Sequence, residues 1–144
     1  MRGSDHIQRS MLNYEGESTM KIQIHTENAP AAIGTYSQAV QVGNTVYISG
    51  QIPLNPKTMK LSNADFQQQV KQVFDNLKAV AVAAGGDLSN IVKLQVFLQD
   101  MNQFAIVNEI MATYFKEPYP ARAVIEVSRL PKDAGVEMDA IMVV

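Results

Sequence analysis

Cysteine is absent from the 144 residues. Disulfides, thiol nucleophiles and thiolate metal ligands are thereby excluded, a composition compatible with a reducing cytoplasm. Histidine is scarce. Only His6 and His25 occur, so histidine acid–base catalysis or a multi-histidine metal centre would rest on His25 alone. Lysine and arginine form no block, and a net charge of −2 argues against a nucleic-acid partner. No apolar run reaches the roughly 20 residues that span a bilayer, and the charged, Gly- and Ser-containing start lacks the apolar centre of a secretory signal. Gly-rich phosphate loops, His-Glu-x-x-His and Gly-x-Ser-x-Gly are also missing. These absences predict a soluble, cytoplasmic protein with no membrane partner and no bound metal.

With 47% hydrophobic and 18% charged residues, the chain has apolar material for one compact core. Residues 1–19 open with Met-Arg-Gly-Ser and run without periodicity to a second potential initiator, Met20. They read as a leader added for expression, leaving 20–144 as a single domain. Ile22 and Ile24 alternate as in a short strand. Gln38 to Val42 and Thr45 to Ser49 are strand-like, and Gly43-Asn44 between them fits a two-residue hairpin turn. Pro53, Asn55 and Pro56 keep the stretch from Gly50 to Ser62 out of a helix.

Asp65 can cap a long helix with apolar residues at Phe66, Val70, Val73, Phe74, Leu77, Val80, Ala81 and Ala84, stopped by Gly85-Gly86. Ile91 to Leu98 follows as a largely buried strand. A second helix, about Asn102 to Phe115, places Phe104, Val107, Ile110, Met111, Tyr114 and Phe115 along one stripe, with Asn108 beside it. Two last strands, about Ala121 to Val127 and Val136 to Val143, complete a βββαβαββ order. This is an α+β class fold, two helices covering one face of a mixed six-stranded sheet. Both faces of the last strand carry apolar side chains, so its second face either meets another subunit or is a solvated face with scattered apolar residues.

The chemistry-bearing residues concentrate late in the chain. Arg122 follows Pro118-Tyr119-Pro120, which biases the backbone toward extended geometry, and opens a β-forming run. Its planar guanidinium suits a carboxylate. The alternative is an edge-strand arginine paired with a structural acid. Glu126, Glu137, Asp139, the phenol of Tyr36 and the corner Ser49-Gly50-Gln51 remain as companions. A carboxylate such as Glu137 can take a proton from water and return it to a leaving group, so Arg122 and Glu137 together describe hydrolysis of a small acid. A simple hairpin with its turn near Asp133 would pair Glu126 near Glu137 and Arg122 near Ile141, leaving twist or a neighbouring chain to unite Arg122 with Glu137.

The segment Glu27 to Ala39, then Ser49-Gly50-Gln51-Ile52-Pro53, then Pro120-Ala121-Arg122 through Leu130-Pro131-Lys132-Asp133, resembles the RidA/YjgF family of reactive-intermediate imine deaminases over nearly all of Ile22 to Val144. The resemblance implies a chorismate-mutase-like subunit and a homotrimer with a central barrel and sites in the clefts between subunits. It also implies hydrolysis of 2-imino acids and their enamine tautomers, such as 2-aminoacrylate, to 2-keto acids and ammonia, without metal or organic cofactor. On that resemblance Arg122 grips the substrate carboxylate and Glu137 activates the attacking water. Tyr36, Ser49, Gly50 and Asn108 line the pocket. Val124 stands where many relatives have a cysteine whose backbone carbonyl helps hold the water, and Met59-Lys60 stands where Gly-Glu is usual, which leaves the loop free to adopt another turn. A non-catalytic sensor of small 2-keto or carboxylic acids is the alternative reading, and an RNA-cleaving translation inhibitor a third.

Overall fold

The computed structural model describes residues 20–62 and 65–144; the expected leader lies outside them. The described residues form six strands, β1 (Ile22–Ile24), β2 (Ala39–Val42), β3 (Thr45–Gln51), β4 (Ile91–Leu98), β5 (Ala121–Glu126) and β6 (Val136–Val143), with helices α1 (Phe66–Ala83) between β3 and β4 and α2 (Phe104–Tyr114) between β4 and β5. They form one sheet in the order β1-β2-β3-β6-β4-β5. All neighbours are antiparallel except β4 and β5, which run parallel, as a crossover through a helix requires. The α+β reading and the element order hold.

Local chemistry accounts for the boundaries of α1. Asp65 caps it by accepting a hydrogen bond from the Gln68 N–H at 3.0 Å. At the other end Gly85 takes φ 95°, and the N–H groups of Gly85 and Gly86 bond back to the carbonyls of Val82 and Ala81, the closure that a left-handed residue allows. Val70, Val73, Phe74, Leu77 and Val80 of α1, and Val107, Ile110 and Met111 of α2, meet Leu94, Val96 and Leu98 of β4 and Val136, Met138, Ala140 and Met142 of β6 in one buried core. The Phe74 ring packs against Tyr114 and Phe115, with centroids 5.1 and 5.6 Å away.

The final hairpin expected from the sequence does not form. β6 pairs with β3 and β4, and β5 lies on the far side of β4 at the sheet edge. The apolar content of each strand explains the exchange. As far as Met142, β6 alternates buried with half-buried residues, whereas β5 is exposed at every position except Val124, so the strand with two apolar faces takes the centre. Residues 127–135, with a 3-10 turn at Pro131–Asp133, carry the chain over β4; the Gly135 N–H is held by Gln69 Oε1 of α1 at 3.0 Å.

The sheet face away from the helices carries Tyr47, Gln95, Phe97, Ile125, Glu137, Asp139 and Ile141. Register puts Phe97 opposite both Glu137 and Ile125, and Gln95 opposite Asp139.

Candidate active site

Arg122 stands on the helix-covered side of β5, in register with Leu94, which itself faces Ala140. Its Nη1 donates to Asn108 Oδ1 at 2.9 Å and reaches Met111 Sδ at 3.5 Å. The guanidinium carbon lies 5.1 Å from the centre of the Phe104 ring, within the range of a cation–π contact. Every one of these partners is neutral, and among the described residues no carboxylate comes within ion-pair distance of Arg122. The structural acid of the alternative reading is therefore not found among the described residues. A hollow of about 350 Å³ opens beside the guanidinium, lined also by Ala112, Tyr119 and Pro120. Val124, two residues on along the same face, packs against the core.

A second cleft, of about 470 Å³, surrounds Glu137. A bulge in β3 builds its floor. Ile48 faces Ala140 and Gln51 faces Met138, so Ser49 and Gly50 together stand opposite Asp139. The Glu137 carboxylate leans over Gly50 so closely that a Cβ there would collide with its Oε2. The glycine is required by this approach. Ser49 donates its hydroxyl to the Ser37 carbonyl at 2.6 Å, which ties the bulge to the loop before β2 and leaves that hydroxyl engaged. Burial, and secondarily the Asp139 carboxylate on the same face, hold Glu137 above the usual carboxylate range; burial also pushes Asp139 up.

The wall facing Glu137 is the loop from Pro30 to Tyr36. It is anchored by Gln38, a buried residue whose amide donates to the carbonyls of Thr26, Ala29 and Pro30 and whose Oε1 accepts from the Thr26 N–H at 2.7 Å. Tyr36 is exposed at the mouth, its hydroxyl accepting from the Ile33 N–H at 3.4 Å. Met59 and Lys132 line the opposite rim, both with left-handed backbone at φ 59° and 58°. Thus Met59 adopts the turn geometry that glycine favours, in the loop where a different turn was expected.

Within one chain the expected site residues fall into two groups. Tyr36, Gly50 and Glu137 share one cleft, with Ser49 behind it, while Asn108 and Arg122 share the other hollow. Arg122 and Glu137 sit on opposite sheet faces, two strands apart and three positions out of register, about 10 Å along the strand direction alone. Glu126 is spent structurally, its Oε1 accepting from the Met101 N–H at 2.8 Å. Phe104, Met111, Gln38 and Lys132 are site-forming residues that sequence reasoning did not single out as such. The first two lay hidden in a core-like helical stripe, and nothing local marks the others.

Among the described residues, then, the chain presents a cation in a neutral cradle and, in a separate and largely apolar cleft, a carboxylate held above its usual range. Residues 26–144 match the family model described as Endoribonuclease L-PSP. A RutC family protein of Pyrococcus horikoshii is 52% identical over 85% of this chain and 97% of its own length. The 2-iminobutanoate/2-iminopropanoate deaminase of Escherichia coli is 50% identical over 86% of this chain and 98% of its own. The crystal structure of RidA from an Antarctic Psychrobacter superposes with a TM-score of 0.83 at 50% identity, covering 85% of this chain and 99% of that one. The chain belongs to this family, the RidA/YjgF group.

Proposed function

We propose that the protein is a hydrolytic deaminase of 2-imino acids, releasing 2-keto acids and ammonia, with 2-iminopropanoate and 2-iminobutanoate and their enamine tautomers as substrates. The observation that carries this reading is Arg122, a guanidinium that borders a hollow and whose only partners among the described residues are neutral. A cation left uncompensated in this way awaits an anion of fitting shape, and its planar fork suits a carboxylate. The deaminase name of the Escherichia coli relative supports the same reaction class.

Fixing the carboxylate would place the imine carbon next to a water on Glu137. Glu137 takes a proton from that water as the oxygen–carbon bond forms and passes it to the imine nitrogen as the carbon–nitrogen double bond becomes single, giving a neutral tetrahedral carbinolamine with Glu137 ionised again. The carbinolamine then collapses: Glu137 takes the hydroxyl proton and delivers it to the nitrogen, the carbon–nitrogen bond breaks as the ketone forms, and ammonia departs. A carboxyl held above its usual range is a better proton acceptor for this work than an ordinary glutamate. Positioning supplies much of the remaining acceleration.

Since one chain keeps Arg122 and Glu137 apart, the reading requires a second copy to bring its Arg122 to the Glu137 cleft of the first. We take the assembly to be a homotrimer closed through the open sheet face. A coupled assay that generates 2-aminoacrylate from serine tests the activity. Faster pyruvate release on adding the protein is expected, and an unchanged rate alongside measurable 2-keto acid binding would leave the sensor reading instead. The ribonuclease activity in the family model's description draws no support from 12 basic against 14 acidic residues, and it predicts binding that weakens steeply with salt.

A further inference from the structure

We infer that Met59 is a specificity-determining residue: it completes an apolar recess beside Glu137 that receives the aliphatic side chain of 2-imino acids longer than the three-carbon parent. This rests on the deaminase reading and names the substrates that the cleft favours.

Three observations carry it. The first is composition of the wall. The cleft that holds Glu137 is also lined by Ile33, Ile52, Leu54 and Met59, and Ile33 is 72% exposed, an apolar surface left largely uncovered by the described residues. The second is room. A cavity of about 470 Å³ lies within the range that takes ligands far larger than a three-carbon acid, so an extended side chain reaches the wall rather than being shut out by it.

The third is the way Met59 is held. Its backbone is left-handed, φ 59°, a conformation that disfavours any residue with a β-carbon and is open to glycine. The chain nonetheless carries a flexible thioether there, and the loop is built to hold it. Asn55 Oδ1 accepts from the N–H groups of Lys57 and Thr58 at 2.8 and 3.2 Å, and the Met59 N–H donates to the Asn55 carbonyl at 2.8 Å. Leu54 and Leu61 bridge the base of the loop. The buried Asn76 of α1 pins it from below by donating to the carbonyls of Ile52 and Leu54 at 3.3 and 3.0 Å. Backbone strain retained on a rigid loop, with the side chain in a cleft wall, points to work done by that side chain. Methionine adapts its shape to ligands of different length.

The test is a calorimetric titration of the full-length chain with pyruvate, 2-oxobutanoate, 2-oxopentanoate and 2-oxohexanoate, the products of successive chain lengths. In the unsubstituted protein Kd falls as the chain lengthens. In Met59→Gly, which the left-handed backbone accommodates without strain, the ratio of the pyruvate Kd to the 2-oxohexanoate Kd drops by about 10-fold, whereas Met59→Leu keeps most of it. A ratio that Met59→Gly leaves unchanged, or no dependence on length in the unsubstituted protein, overturns the assignment and leaves the deaminase reading standing. Absence of any 2-keto acid binding together with no acceleration of pyruvate release overturns both.

Discussion

Arg122 and Glu137 have different duties, so their variants should fail differently. Arg122→Ala removes the carboxylate grip: turnover falls below detection and 2-keto acid binding is lost, while the circular dichroism spectrum stays native because the guanidinium forms no ion pair among the described residues. Glu137→Gln keeps binding and lowers kcat by about 10²–10⁴-fold. The pH dependence follows from the direction of the shift. Glu137 accepts protons only when ionised, so the rate falls as pH drops through a value held above the ordinary range by burial and by Asp139. Asp139, Lys132 and Tyr36 are the titratable groups around it. Asp139→Asn removes the like charge and moves the acid limb to lower pH. Stability runs the other way. A folded-state value above the unfolded one gives stability that is complete below the unfolded value and lost as pH rises through the folded one. Asp139→Asn should therefore raise Tm at pH 7 by about 1–2 °C, a small gain because the side chain is only half-buried, and the gain should vanish near pH 4.

The bulge of β3 and the loop before β2 are what turn a strand carboxylate into a site. Gly50→Ala drives a methyl into the space of Glu137; we expect the fold to survive with turnover reduced about 100-fold, read from steady-state kinetics on material of native melting behaviour. Much of this architecture was legible in the sequence. Asp65 and Gly85-Gly86 marked α1, and Gly43-Asn44 marked the β2–β3 hairpin, because caps and tight turns are written in adjacent residues. The order of the last strands was not legible. Alternation in Val136 to Val143 reports that both faces are apolar and says nothing of which strand lies alongside. Arg122 and Glu137 stood out by chemical type. Their separation into two hollows depends on β6 inserting between β3 and β4, a pairing across most of the chain's length.

Assembly gives the sharpest test of how the two hollows relate. Arg122→Ala and Glu137→Gln, each inactive alone, should recover activity when unfolded together and refolded as a mixture. If each site joins one chain's arginine to its neighbour's glutamate, random mixing makes about a quarter of the sites intact. A mixture as inactive as its parents would show that both residues act within one chain. Light scattering should give about three times the 15.9 kDa of the chain, and mixed trimers should form only after the parent assemblies are taken apart.

The neutral cradle of Arg122 has a practical corollary. A guanidinium fixed by an amide oxygen, a thioether and a ring face keeps its full charge on offer, so phosphate, acetate or formate in the medium will compete for the same seat. Apparent KM should therefore rise with the concentration of such ions at constant ionic strength, and kinetic constants for this protein will be comparable only between solutions that share their counter-anion.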